Sequence, residues 1–206
     1  MSKSTIVKTL KLKLPMPSVI RVAQRTFPTL GKGIGRVCVG VSPRRVLKLA
    51  MNQFGAVQNL AEGSNLFEGL AAFNRPLFVS SDGYVAVAKK GVPVSQVTFT
   101  RQIGVTHDYL WECLFPCNRR ASKEAFCDRL QALIGSNKLT AYGKQWVSDI
   151  KEAASRVDTS YILADWVQFR HLLRVESQIK IVDFGGQRSS PDKPFNLRRL
   201  KHTVRV

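Results

Sequence analysis

The sequence predicts an α+β fold: an N-terminal domain of mixed strands and helices with a β-hairpin, then a small helical subdomain and a basic C-terminal tail. Three observations carry this expectation. Period-two alternation, the mark of a half-buried strand, lies mainly in the first half, as where Leu10, Leu12 and Leu14 interleave with Lys11 and Lys13. From Ser122 the spacing becomes helical, with Phe126, Leu130, Leu133 and Ile134 on one face. Between these regions Asp82-Gly83 separates Leu77–Ser81 from Tyr84–Ala88, which reads as a hairpin with a two-residue turn.

Taken in order, Ile6–Leu14 is expected to be a strand with one lysine face, stopped by Pro15-Met16-Pro17. Ser18 is placed to cap a short helix to Arg25, with Arg21 and Arg25 one turn apart. Thr29–Arg36 reads as a glycine-rich loop, and Val37–Val41 as an apolar strand. Ser42-Pro43 has the form of a helix start, and a helix to Phe54 would carry Val46, Leu47, Ala50, Met51 and Phe54 on its apolar stripe, with Gly55 as its stop. Val92–Val105 and Tyr109–Phe115 are expected strands, Pro93 confining the first to an edge. Beyond the Ser122–Gly135 helix, Tyr142, Trp146, Ile150, Ala153 and Val157 mark a second helix and Ile162, Trp166, Phe169 and Leu173 a third. Ile179–Phe184 closes the ordered pattern as a strand. The expected organisation is a domain over residues 1–121, a helical subdomain over 122–184 and a tail over 185–206.

A chain of 206 residues with 44% hydrophobic composition is long enough for one large domain or two small ones around a real core. The charge is the unusual quantity: 32 Lys and Arg against 14 Asp and Glu, a formal net charge of +18. No acidic residue precedes Glu62, so the first segment is +11, while the segment from Phe184 onward is +5. Such ends repel one another unless an anion lies along them, and a nucleic-acid backbone supplies one. The basic residues are spread over every kind of element, which argues against a basic amphipathic membrane helix. No apolar run approaches the ~18 residues of a membrane span, and lysines interrupt the only stretch that resembles a secretory signal. The expected location is the cytoplasm, with Cys38, Cys113, Cys117 and Cys127 as reduced thiols.

Several motifs have both a chemical and a structural reading. Gly31-Lys32-Gly33-Ile34-Gly35-Arg36 could present backbone N–H groups to a phosphate, because glycine permits the positive φ of an anion nest, or could be a plain connection. His107, Cys113, Cys117 and Cys127 fall within 21 residues and could complete a Cys3His zinc site, yet they lack a Cys-x-x-Cys pair, and Cys127 suits a small buried thiol. His107, His171 and His202 are the candidate acids or bases for a metal-independent ribonuclease, and Asp108 is not expected to form a dyad with His107, because adjacent side chains of a strand point to opposite faces. Tyr84 and Phe99 could stack bases or pack in the core.

Pro76-Leu77-Phe78-Val79 with its hairpin, Phe99-Thr100-Arg101-Gln102-Ile103-Gly104-Val105-Thr106, and Lys138-Leu139-Thr140 through Lys144-Gln145-Trp146 resemble the compact large-subunit-like proteins of type IV CRISPR effector complexes. The resemblance covers about a third of the chain. It implies a non-catalytic subunit at the end of a guide-RNA complex, touching the RNA 5′ end and a short duplex motif beside the target. Many members of that family carry paired cysteines in the N-terminal half, whereas here Cys38 stands alone in Val37-Cys38-Val39-Gly40.

The expected function is therefore nucleic-acid binding within a ribonucleoprotein, with RNA or DNA and other protein subunits as partners, and without catalysis, cofactor or metal. The residues expected to bind are Lys8, Lys11, Lys13, Arg21, Arg25, Lys32, Arg36, Arg44, Arg45, Lys48, Lys89, Lys90, Arg119, Arg120, Arg198, Arg199 and Lys201. Two alternatives compete. One is an endoribonuclease using a histidine such as His107. The other is a DNA-binding regulator that places a Ser42–Phe54 helix in a major groove.

Overall fold

The computed structural model describes residues 15–114, 122–158 and 163–186. Their architecture is α+β, with two antiparallel sheets and helices grouped toward the second half. They form two compact units, one comprising the chain up to Leu60 with Pro76–Lys90, the other Ala61–Arg75 with the chain from Gly91 onward.

The first unit opens with α1 (Met16–Thr26), which starts at Pro15, whose carbonyl accepts from the Ser18 and Val19 N–H groups; the expected Ser18 side-chain cap is not used. β1 (Thr29–Lys32), β2 (Arg36–Ser42), β3 (Arg45–Ala50), β4 (Phe78–Val79) and β5 (Val85–Lys89) form an antiparallel sheet of order β1-β2-β3-β5-β4. Register places Val37, Val39, Leu47, Leu49, Val85 and Val87 on one face, where Val19 and Ala23 of α1 cover them. Each fully buried valine or leucine there contributes roughly 1.5–3 kcal/mol relative to exposure. The opposite face bears Gly40, Ala50, Ala86 and Ala88 with Arg36 and Lys48, all buried.

α2 (Gln53–Gly63) follows, and it corrects the sequence reading. Of the expected Ser42–Phe54 helix only Gln53 and Phe54 are helical, at the start of α2; Ser42–Ala50 is the end of β2, the β2–β3 turn and strand β3. The Ser42 hydroxyl accepts from the Arg44 N–H at 3.3 Å, capping a turn rather than a helix. Val46–Ala50 is buried on both faces, and a strand buried on both sides reads as a continuous apolar run, not as an alternation. Gly55 is no helix stop. It lies in the first turn of α2 against the β1–β2 loop, where an added Cβ would come within 1.9 Å of the Gly35 carbonyl oxygen. The β4–β5 hairpin forms as expected but with a wider turn: the Ser80 N–H donates to Val85 O, the Asp82 carboxylate accepts from the Ser80 hydroxyl and the Tyr84 N–H, and Gly83 takes φ +76.

The second unit contains β6 (Val92–Pro93), α3 (Gln96–Ile103), α4 (His107–Leu114), α5 (Lys123–Gly135), α6 (Ala141–Arg156), α7 (Leu163–Trp166), β7 (Leu172–Val175) and β8 (Gln178–Ile181), the strands pairing in the order β6-β7-β8. Its core centres on Phe67, Phe73, Trp166 and Phe184, whose rings contact edge-on or tilted, and on Trp146 and Phe99. Ser122 and Thr140 cap α5 and α6, accepting from Ala125 N and Gly143 N.

Two expected strands are helices here. Ser95 accepts from the Thr98 N–H and Gly104 ends α3 at φ +101, so that only Val92–Pro93 of the expected Val92–Val105 strand remains extended. The expected Tyr109–Phe115 strand is helical through Leu114, in α4, on which His107, Leu110 and Leu114 bury one face at helical spacing; Phe115 lies outside the described residues. The third expected helix is cut short: α7 ends at Trp166 and Leu172–Val175 pairs with β8 through a turn at Glu176, which takes φ 59. The expected Ile6–Leu14 strand lies outside the described residues.

Candidate nucleic-acid interface

The first unit has thirteen Lys and Arg residues and a single carboxylate, Asp82, whereas the second has nineteen against thirteen. Asp82 is committed to the β4–β5 turn by the two hydrogen bonds above. The cations gather at the opposite end of β5. Arg45 and Lys89 are direct register partners between β3 and β5, and the Lys90 N–H donates to Arg44 O at 3.1 Å, so four cations occupy one end of the sheet. The chain leaving α1, whose last turn carries Arg25, reaches this end of the sheet at Pro28, whose carbonyl accepts from Gly40 N. Like charges directly opposite on neighbouring strands are destabilising.

The other expected binding residues divide into three groups. Arg21 and Lys32 are exposed, Arg21 one turn before Arg25 and Lys32 at the glycine-loop end of β1, away from the Arg44 corner. Arg36 and Lys48 are 7% and 5% exposed and face into the unit. Their expected binding role is corrected. Lys48, expected on the polar side of a helix, is a strand residue that points to the buried face; the Arg36 guanidinium donates to the side-chain Oδ1 of Asn59 at 3.1 Å. Lys8, Lys11, Lys13, Arg119, Arg120, Arg198, Arg199 and Lys201 lie outside the described residues.

The glycine loop does not take the form of an anion nest. Its glycines are not in the left-handed region, and Gly35 and Ile34 turn carbonyls toward α2, accepting from Met51 N at 2.8 Å and Asn52 Nδ2 at 3.2 Å. The glycines at 35 and 55 are required by close backbone approach.

His107 is a core residue. It is 7% exposed, its Nε2 lies 2.7 Å from Val167 O, and its ring packs among Phe99, Phe169 and Trp111. Because α4 is a helix, Asp108 is not turned to an opposite face as a strand would have it; its carboxylate lies 3.9 Å from His107 Nδ1, beyond hydrogen-bond distance. Cys113 and Cys127 are half-buried free thiols, and burial pushes the Cys127 thiol up from its ordinary value. Cys117 lies outside the described residues. No set of three metal-ligating side chains assembles among the described residues. His171 holds its Nδ1 against Asp165 O at 2.6 Å, with Asp183 at 3.8 Å from Nε2. His202 lies outside the described residues.

Of the two expected stacking aromatics, Phe99 is buried in the second unit and Tyr84 is half-buried at the hairpin turn. The residue missed is Phe78, 55% exposed on the edge strand β4. Nothing sets it apart within the expected Leu77–Ser81 strand; edge placement, which no local pattern encodes, exposes it. Among the described residues no helix is long and apolar enough to cross a membrane. Comparison with family models, with curated proteins and with solved structures gave no match.

Proposed function

We propose that this protein is a non-catalytic nucleic-acid-binding subunit of a ribonucleoprotein and that its interface is the Arg44-Arg45-Lys89-Lys90 end of the first unit. The observation that carries the reading is the Arg45–Lys89 like-charge register pair, in a unit whose own carboxylate, Asp82, serves the far turn. Phosphate oxygens present negative charge as a closely spaced row, which suits a cluster of cations at one end of a sheet. The ribonuclease alternative rested chiefly on His107, and its burial among three aromatic rings leaves that imidazole no substrate to reach. The regulator alternative loses its Ser42–Phe54 recognition helix to strand β3.

Among the described residues seven first-unit cations are exposed or half-buried: Arg21, Arg25, Lys32, Arg44, Arg45, Lys89 and Lys90. If all reach phosphate, log K falls against log salt with a slope of about −5 on a single strand or about −6 on B-form duplex. A titration by fluorescence anisotropy at several salt concentrations measures it. A slope near zero would refute the proposal. The type IV resemblance narrows the partner to a guide RNA and companion subunits in the cytoplasm. Purification from the native host at moderate salt, without nuclease, tests this: one defined short RNA with stoichiometric proteins supports it, and heterogeneous nucleic acid released by salt counts against it.

A further inference from the structure

Phe78 is the one aromatic residue in the exposed class among the described residues. Register shows where its ring stands: Phe78 pairs with Val87, Val87 with Leu47, and Arg45 with Lys89. Paired residues of an antiparallel sheet share a face, so Phe78, Lys89 and Arg45 all lie on the face that α1 covers over Leu47, Leu49 and Val85. Lys89 is two residues beyond Val87, which makes it a diagonal neighbour of Phe78 at about 7–8 Å, within reach of a long side chain. α1 leaves Phe78 uncovered, and β4 is the edge of the sheet, so no further strand of this sheet shields the ring. A single exposed phenylalanine needs no explanation by itself. One placed beside two cations on the same face, Arg45 and Lys89, does, because phosphate-binding cations next to an aromatic platform are what a single strand uses.

We infer that this face binds single-stranded nucleic acid, with a base stacked on Phe78 and the flanking phosphates held by Arg45 and Lys89. The inference rests on the nucleic-acid reading above and adds a strand preference to it. A duplex keeps its bases stacked on one another and offers no base face to a side-chain ring, whereas an unpaired base presents one. Phenylalanine brings no hydrogen-bonding group, so the contact is tolerant of sequence.

The test uses the full chain, with short oligo(dT), oligo(U) of the same length and a DNA duplex of the same length as anisotropy probes at low salt. Phe78→Ala should weaken single-strand binding about 5- to 100-fold with the salt slope unchanged, and should alter duplex binding by less than about twofold. Phe78→Leu keeps the apolar bulk and should lose nearly as much, while Phe78→Tyr should restore binding; this pair separates stacking from simple burial or a folding defect. If wild type binds with a steep salt slope but Phe78→Ala binds the single strand equally well, the stacking inference fails and the nucleic-acid reading stands. Tighter binding of duplex than of single strand overturns the strand preference in the same way. If wild type binds none of the three probes, both readings fail, and Phe78 with Leu77 is then a surface for a protein partner.

Discussion

Replacing Arg45 by glutamate separates the stability of the first unit from its proposed binding, because it should raise the one and weaken the other. Arg45 is exposed and stands directly opposite Lys89. Opposite-charge cross-strand pairs contribute roughly 0.2–1 kcal/mol, and like pairs cost a similar amount. Reversing one sign therefore spans about 0.4–2 kcal/mol, and solvent screening of an exposed side chain holds the gain near the lower end. On the binding side, one phosphate contact is lost and a repulsive carboxylate is added, so affinity falls for every sequence and the salt slope becomes shallower by about 1. Urea unfolding at low salt reads the first quantity and anisotropy reads the second. Lys48→Met is the control: a 5% exposed cation is removed from the inward face, so stability changes while the salt slope does not. An Arg45→Glu variant that is less stable than wild type yet binds equally well would refute the idea that this pairing is maintained for an anion.

Four further outcomes are expected. Gly55→Ala should destabilise the first unit by roughly 1–3 kcal/mol or more, read by urea unfolding, since its Cβ would stand 1.9 Å from Gly35 O. His107→Ala should cost about 2–4 kcal/mol, by emptying a space among Phe99, Phe169 and Trp111 and leaving Val167 O without its ring partner, while oligonucleotide affinity measured on the folded variant is unchanged. The Tyr142 phenol exchanges hydrogen bonds with Ile179 N and O, and burial pushes it up from its ordinary value of 10.0. The folded state then keeps a proton that the unfolded chain loses, so the stability from this group is whole below about pH 10 and is lost as pH rises beyond it; Tyr142→Phe should flatten that alkaline loss in urea midpoints taken across pH 9 to 11. Burial likewise raises the Cys127 thiol, so at a pH of about 8 iodoacetamide should label it more slowly in the folded protein than in urea, as mass spectrometry would show.

The two longest helices were legible because their signals are local. Ser122 and Thr140 each stand three residues before the N–H they accept from, and Phe126, Leu130 and Leu133 or Trp146, Ile150 and Ala153 repeat at helical spacing. The β4–β5 hairpin was legible through Asp82-Gly83, as was the α+β class. Where the reading failed, the same residues satisfied two periods. Val46, Leu47 and Ala50 fit a helical stripe as well as a doubly buried strand, and Phe99 and Ile103 lay in a segment read as extended although Ser95 and Gly104 cap it as a helix.

Charge asymmetry is a property of composition and order, so the excess of cations before Glu62 was plain from the chain alone, and with it the expectation of a polyanionic partner. Which cations face that partner was not, because facing is decided by strand pairing between residues far apart in sequence. Arg45 meets Lys89 across 44 positions, and the exposed Arg45 stands only three positions from the buried Lys48. A one-residue change of register would exchange the two faces of the strand. Only the assembled sheet, with α1 on one side and β4 at its edge, settles that Arg45, Lys89 and Phe78 stand together while Arg36 and Lys48 turn inward.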